Sequence, residues 1–531
     1  MKTDIKKNIL LVVLPYLLKR DDLVRTKLRS FKAFPYGVLS IASYLKKKAG
    51  DSVNVQVLDC NLDDERDVDL IIKKKITEFK PDIVGLSMMF DNSYVYVKDI
   101  SSVIKKYNED VVVVLGGSAA TSSYTTIMNE QDNLDAICFY EGEMPFLKMV
   151  QSENVLDFLE NDPSWITKKS LDEGREPQKS SIQDLDEVID IDYSFVDVSN
   201  YAMKEAFSPF ADKIEDRKQF FLVTSRGCPY NCVFCMRSAD KEKVIRYASV
   251  DRVIKHVRYL VSEYGMNILT IYDDQILLNK ERAKQLFREF AQFNLRIECP
   301  NGLSVAFMDE ELISLMRKAG MDTVNLAIES GSSHVLNKII NKPLRLDMVK
   351  PVVQNLRKYG FWIHGYFVTG LPGERDEHRD ETVRFINGVG LDWSGFSVAI
   401  PTRGSRLFKI CIEKGYIDKN VGIGEIDAGK IAINTPEYSS EYVKDKTYLM
   451  NLDVNFVNNY RMKNREYRVA ADAFSDVIER YDDHAFAYYY LSKALYALHE
   501  NQKAQDALNK YNGILNKDAT WKRYAEYFRI N

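Results

Sequence analysis

Thr224-Ser225-Arg226-Gly227-Cys228-Pro229-Tyr230-Asn231-Cys232-Val233-Phe234-Cys235 sets three cysteines at Cys-x3-Cys-x2-Cys spacing. Gly227 and Pro229 break regular structure on either side of the first cysteine, so the sulfurs can fold back from a loop toward one centre. Three thiolates suit a soft metal centre. An iron-sulfur cube normally takes four cysteine ligands, so a cube held by three keeps one iron open for another molecule. A structural zinc site would want a fourth Cys or His at ligand spacing, and neither follows within twenty residues of Cys235. A disulfide beside a free thiol fits poorly with seven cysteines in 531 residues and no secretory signal.

Around this loop, from Phe220 onward, strand and helix patterns alternate at the spacing of a barrel of parallel strands. The expected strands are Phe220–Val223, Ile268–Tyr272, Leu295–Glu298, Thr323–Ile328, Trp362–Val368 and Gly395–Ile400. Six strands suggest an incomplete barrel with an open side, working at its carboxyl ends. Those ends carry chemistry: the cysteine loop after the first, Asp273-Asp274 after the second, Glu329-Ser330-Gly331 after the fourth, and Thr369-Gly370-Leu371-Pro372-Gly373-Glu374 after the fifth. One polar residue at a strand end can simply cap the next helix; four such ends beside a cysteine loop point to a site.

Residues 215 to 410 resemble the core of the radical S-adenosylmethionine (SAM) enzymes, down to Phe234 just before the third cysteine. The resemblance implies a four-iron four-sulfur cluster held by Cys228, Cys232 and Cys235. Its open iron would be chelated by the amino and carboxylate groups of SAM, and reduction would release a 5'-deoxyadenosyl radical that abstracts hydrogen from an unactivated carbon. Asp273 and Asp274 occupy the place of the motif that receives the SAM amino group. Glu329, followed by Ser330, looks like the ribose contact, and Gly365-Tyr366-Phe367-Val368-Thr369-Gly370 looks like the segment beside adenine. Pro401-Thr402-Arg403-Gly404-Ser405-Arg406-Leu407 resembles the loop after the sixth strand. Arg345, His364, Arg375, Trp393 and Cys299 are further polar or reactive residues of this half, more ordinarily packed or solvated than functional.

Upstream, short apolar runs alternate with amphipathic stretches, as in a doubly wound parallel sheet. The expected strands are Ile9–Leu14, Val53–Leu58, Ile83–Met88, Val111–Leu115 and Ala136–Phe139, with helices over Val38–Lys48 and Tyr94–Tyr107. The ligand crevice of such a domain lies beyond the carboxyl ends of its strands. Ser87, Gly116-Gly117-Ser118 and Glu141-Gly142-Glu143 all fall there. Together with Pro35-Tyr36-Gly37-Val38-Leu39, these segments resemble the cobalamin-binding domain found ahead of many radical SAM cores. The resemblance implies cobalamin contacts at Pro35, Gly37, Ser87, Gly116, Gly117, Ser118, Glu141, Gly142 and Glu143. The sequence departs from that pattern at Ser118-Ala119 and Tyr140. The first histidine in the chain is His256, so this domain cannot offer imidazole to cobalt.

The expected organisation is α/β: a Rossmann-like cobalamin-type domain over 1–150, a polar connector over 151–214, a partial (β/α)6 radical SAM core over 215–435, and a helical tail over 436–531. In the tail, Tyr467–Phe474 recurs as Asn501–Leu508, with Ala470 and Ala504 in register 34 residues apart, which is the tetratricopeptide period. So few repeats fit a cap on the barrel or a partner-binding surface better than a free solenoid. A net charge of −4 and a pI near 6.0 give no basic field for nucleic acid. The run Ile9 to Leu18 is too short to span a bilayer, and a cytoplasmic protein is expected.

The function expected from these resemblances is methylation of an unactivated carbon or phosphinate phosphorus in a small molecule or peptide, using the cluster, SAM and cobalamin. The chain would draw single electrons from an external donor such as flavodoxin or ferredoxin. The alternatives are an oxidative cyclase or ring-rearrangement enzyme on the same cofactors, and a redox or cobalamin sensor that binds a partner through its tail. A methylthiotransferase would carry three further cluster cysteines in the first domain, where only Cys60 and Cys138 occur.

Overall fold

The computed structural model describes residues 6–16, 33–62, 68–201, 216–236, 243–425 and 433–530. Leu17 and Leu18 of the apolar run, and 202–214 at the end of the expected connector, lie outside the described residues.

Strands β1 (Lys7–Val13), β2 (Val53–Asp59), β3 (Ile83–Ser87), β4 (Val112–Gly116) and β5 (Ala136–Cys138) form a parallel sheet in the order β2-β1-β3-β4-β5. Each lies within two residues of its expected position. Such strands are buried on both faces and therefore read as continuous apolar runs. Along β1, Leu10 and Val12 pack into a core under the outer helices, while Ile9, Leu11 and Val13 face a second core shared with the rest of the chain. The order reverses between β1 and β3, and ligands of doubly wound sheets bind at such switch points.

The expected polar connector is partly built into the fold. Its strand β6 (Trp165–Ile166) pairs antiparallel with β5, and Trp165, Ile182, Leu185, Ile189, Ile191, Tyr193 and Tyr201 are buried. Isolated apolar residues among the acidic stretches serve as anchors, which composition alone does not reveal. Tyr193 and Tyr201 meet Phe34 of the first domain and Tyr193 meets Phe220 of the next, with ring centroids 4.7–5.0 Å apart.

The second half supplies β7 (Gln219–Leu222), the short antiparallel ribbon β8 (Ser225–Arg226) and β9 (Arg246–Tyr247), then β10 (Ile268–Ile271), β11 (Arg296–Glu298), β12 (Thr323–Glu329), β13 (Trp362–Thr369) and β14 (Trp393–Val398). Two parallel sheets result, β11-β10-β7 and β12-β13-β14. Between them, Leu303, five residues beyond the end of β11, forms a parallel bridge to Leu326 of β12. In β12 and β13 full burial alternates with half-burial. Strand alternation therefore sets Asn325, Ala327 and Glu329, with His364, Tyr366 and Val368, on the half-buried faces.

The tail consists of helices, with Tyr467–Arg480, Ala485–Ala497, Asn501–Leu515 and Ala519–Tyr527 at its end. Ala470 and Ala504, the residues in register in the sequence repeat, are both fully buried. The π-helix Asp453–Val457 lies against β14, where the Asn455 amide accepts from the Ser394 N–H and donates to the Ser394 carbonyl, each at 2.8 Å. One side chain thus replaces the neighbour strand that β14 lacks. Arg461 pairs with the buried Asp392 at 2.5 Å, and Thr447 meets Thr369 at 2.7 Å.

His484 caps the helix Ala485–Ala497 by accepting the Ala487 N–H on Nδ1 at 3.1 Å, and its ring lies against Phe456 and Trp521. Burial pushes its pKa down to about 4. The neutral ring's contribution is present in full above the ordinary pKa of 6.5, and is lost as pH falls from there toward 4. The thermal unfolding midpoint should fall across that window by the equivalent of roughly 3 kcal/mol. His484→Asn, which keeps a capping acceptor, should flatten that part of the profile in calorimetric scans at pH 7 and pH 4.5.

Candidate functional site

The cysteine loop is closed at its stem by the ribbon β8/β9. Asp273, just beyond the end of β10, braces that stem. It accepts the Thr224 N–H at 2.5 Å on one oxygen and the Thr224 and Ser225 hydroxyls at 2.6 Å on the other. Burial pushes the Asp273 carboxyl above the usual range, and these hydrogen bonds pull against that rise. The next residue, Asp274, accepts the Gly227 N–H at 3.1 Å. Arg282 reaches the Thr224 and Ala248 carbonyls at 3.0 and 2.8 Å, tying both ends of the stem together. Gly227 has φ +117°, and a Cβ there would stand 2.4 Å from the Val244 carbonyl oxygen. Only glycine permits that approach.

Farther along, the Val233 N–H donates to Ile340, at the end of the π-helix Val335–Ile340, and the Val233 carbonyl accepts from Leu407. Of the seven cysteines, Cys228, Cys232 and Cys235 are partly exposed while Cys60, Cys138, Cys299 and Cys411 are buried. Burial pushes the Cys232 thiol up to about 11, and Lys342 pulls it the other way. Among the described residues no three His, Cys, Asp or Glu converge on a single ion; a cube instead takes each thiolate on a different iron. A loop with three accessible thiols, its shape imposed from outside, fits a cluster of that kind.

The other strand ends gather beside the loop. Glu329 ends β12 at φ +72°, where the register with β13 slips. Left-handed backbone at a non-glycine residue concentrates at functional sites. Lys342 donates to its carboxylate at 3.0 Å. A cavity of about 420 Å³ opens over Asn301, Ala327, Glu329, Tyr366, Gly395 and Ser397. His364 lies next to it, its ring 4.9 Å from Tyr366 and its Nε2 2.9 Å from where a Cβ on Gly395 would stand. Burial lowers its pKa to about 4, so the ring is neutral near pH 7. Another concavity, about 530 Å³, runs along Ser152–Pro163 and is lined by none of these residues.

Several expected residues stand apart from the cavity. Ser330 is buried, its hydroxyl accepting the Ser332 N–H at 3.1 Å and lying 3.2 Å from the Thr382 hydroxyl. Gly370 is packed under Val443, its carbonyl accepting from Tyr438 at 2.6 Å. Arg345 and Arg375 are exposed beside Asp347 and Glu377. Trp393 packs on Phe456 of the tail, and Cys299 is buried, its thiol pushed up by burial.

At the first sheet's carboxyl edge, Gly117 has φ +108°, and a Cβ there would meet the Met88 carbonyl oxygen at 2.4 Å. Ser118 donates to Met89 at 3.0 Å, and Met89 and Phe90 are about half exposed at the same edge. Gly37 has open space at its Cβ position. Backbone brought close, next to exposed apolar side chains at a switch point, suits a large flat cofactor with an amide rim. Glu143, by contrast, is buried. It accepts from Ser40 at 2.6 Å and pairs with Arg226 at 2.7 Å. Burial would raise its pKa, but Arg226 and these hydrogen bonds hold the carboxyl below the usual range. Glu141 pairs with Arg226 at 3.2 Å and with Arg246. Arg226, Arg246, Arg282 and Ser40 carry no local signal in the sequence because their partners lie far away in the chain, and Lys342 meets Glu329 from 13 residues on, across the turn of the π-helix. Arg226 was nevertheless in view, two residues before the first cysteine.

The Radical SAM superfamily profile matches residues 222–386, and the B12 binding domain profile matches residues 25–150. An uncharacterized methyltransferase of Pyrococcus horikoshii is 31% identical over 387 residues, covering 72% of this chain and 79% of that protein. The chain belongs to the cobalamin-binding radical SAM family. It is also 29% identical to the cytidylyl-2-hydroxyethylphosphonate methyltransferase of Streptomyces wedmorensis, over 72% of this chain and 77% of that one. The solved cobalamin-dependent SAM radical enzyme OxsB shares the fold at TM-score 0.63 and 15% identity, covering 98% of this chain and 80% of its own. As a radical SAM enzyme with a B12 binding domain, the protein works with a four-iron four-sulfur cluster, SAM and cobalamin. It needs a substrate and a source of electrons. No described helix is long and apolar enough to cross a membrane.

Gly227→Ala should cut the iron retained after anaerobic reconstitution by more than half, because the stem cannot close over a β-carbon 2.4 Å from backbone oxygen. Gly117→Ala should lower hydroxocobalamin uptake and leave unchanged the iron taken up when no cobalamin is added. Iron assay and the optical spectrum of each purified variant check both outcomes.

Proposed function

We propose that the protein is a cobalamin-dependent radical SAM methyltransferase acting on an unactivated carbon, or a phosphinate phosphorus, of a small molecule or peptide. The reading rests above all on one contact: the loop after β5, at the carboxyl edge of the cobalamin-type domain, pairs with the stem of the cysteine loop through Glu143 and Arg226 at 2.7 Å. A second contact supports it, since a Cβ on Gly404, in the loop after β14, would lie 2.6 Å from Ser122 Oγ, close behind Gly117. Both contacts set the carboxyl edge of the first domain against the core, in keeping with methyl transfer from cobalamin onto a substrate radical. When bound, the cluster and SAM supply the hydrogen-abstracting radical and cobalamin supplies the methyl group.

The chain's own residues divide the work. Cys228, Cys232 and Cys235 hold the cluster, with Phe234 packed beside them. Asp274, Glu329 and Tyr366 line the SAM side, with Ser330 and Gly370 supporting them from behind, while Asp273 shapes the loop. Pro35, Gly37, Ser87, Gly116, Gly117 and Ser118 border cobalamin, and Glu141, Gly142 and Glu143 form its rim toward the core. Neutral His364 beside Tyr366 suits a polar, uncharged part of a substrate. The division is a cobalamin-type domain over 1–150, a connector over 151–214, a core over 215–435 whose six strands make one open barrel, and a tetratricopeptide-like tail over 436–531 that seals the β14 edge. A one-electron protein such as flavodoxin or ferredoxin serves as reductant.

Protein purified without oxygen and reconstituted with iron, sulfide and hydroxocobalamin should hold about four irons and one cobalt per chain. With methyl-labelled SAM and a strong reductant it should release 5'-deoxyadenosine, and labelled methyl should appear on bound cobalamin. Cys232→Ala should lose the iron and the deoxyadenosine. Iron without cobalt would overturn the methyltransferase reading. Deoxyadenosine with no labelled methyl on bound cobalamin would favour the oxidative cyclase instead.

A further inference from the structure

The two strands that close the cysteine loop each carry an arginine, Arg226 on β8 and Arg246 on β9, and the two residues face each other in the ribbon. Both turn toward the same short segment of the first domain. Arg226 pairs with Glu143 at 2.7 Å and Glu141 at 3.2 Å, and Arg246 donates to Glu141 at 3.0 Å and to the Ile182 carbonyl. Ser40, on the helix Tyr36–Ala49, completes the grip on Glu143. Tyr36, from the same helix, accepts the Val223 N–H at 3.4 Å, just before the stem. The grip is built inside the protein: Glu143 is 4% exposed and the Arg226 side chain 17%. Charge-assisted hydrogen bonds shielded from water hold geometry far better than surface pairs.

The location of the grip gives it a consequence. Glu141-Gly142-Glu143 follows β5 at the edge where a doubly wound sheet binds its ligand. Arg226 stands two residues before Cys228. Anything that orders the first segment therefore orders the stem of the second. We propose that Glu141 and Glu143 are positioning residues that couple the two cofactor sites, so that cobalamin in the first domain and the cluster in the core each strengthen the other's binding. This deepens the functional reading above and rests on it. Coupling of binding is reciprocal by linkage, and a coupling of ordinary size is worth about tenfold in affinity.

The first test uses the wild-type chain, titrating hydroxocobalamin into anaerobic protein with and without a reconstituted cluster. Cluster-loaded protein should bind hydroxocobalamin about tenfold more tightly. Glu143→Gln keeps an acceptor for Ser40 and removes the negative charge that faces Arg226, and it should bring the two affinities together. Its reduced cluster should also show a weaker change in electron paramagnetic resonance on adding SAM than the wild-type cluster does, a readout that general destabilisation would not move. Should Glu143→Gln fail to fold, Arg246→Lys gives the same comparison from the rim. Equal wild-type affinities with and without the cluster would sink the coupling and leave the methyltransferase reading standing. So would full coupling retained in a folded Glu143→Gln variant. Failure to bind hydroxocobalamin in either state would overturn both readings.

Discussion

A loop that offers three thiols to one cluster cannot satisfy its own backbone by forming a helix or strand, so its shape must be imposed from outside. Asp273 does most of this with two oxygens, accepting one N–H and two hydroxyls from Thr224 and Ser225. A buried carboxylate costs free energy unless it is fully hydrogen-bonded, and here the need is mutual: the acid requires donors and the stem requires an acceptor. Arg282 fixes the other side of the stem through two carbonyls. These pairings set where β7 and β10 must stand, and with them the positions of the remaining strand ends.

The same constraint explains the glycines that matter. Gly227 and Gly117 lie in different domains, yet each has positive φ and each would drive a β-carbon to 2.4 Å from a main-chain oxygen. In both places two backbone segments come close enough to leave an accessible edge with no side chain over it. Glu329 solves a related problem without glycine. It takes left-handed backbone at a slip in register, and Lys342 holds its carboxylate there.

β14 is the last strand of its sheet, and unpaired strand edges invite association. The tail removes that liability through a single amide, Asn455, bonded to both main-chain groups of Ser394. Arg461 and Arg357 neutralise the buried Asp392 alongside. Tyr438 and Val443 of the tail also close over Gly370, just past the end of β13. The helical tail is thus part of the wall behind the expected adenine segment.

Strand positions were legible in the sequence because parallel strands buried on both faces read as unbroken apolar runs, and eleven of them fell within two residues of expectation. The Cys-x3-Cys-x2-Cys spacing and the 34-residue alanine register were legible for the same reason: they are local patterns. The family and its cofactors followed from such patterns. What the individual acids do was decided only in three dimensions. Asp273 braces the stem, and Glu143 grips Arg226 across 83 residues of chain, as Glu141 grips Arg246 across 105. The sequence records which residues can donate and accept, but the energy of a buried ion pair or hydrogen bond depends on a distance that only folding sets.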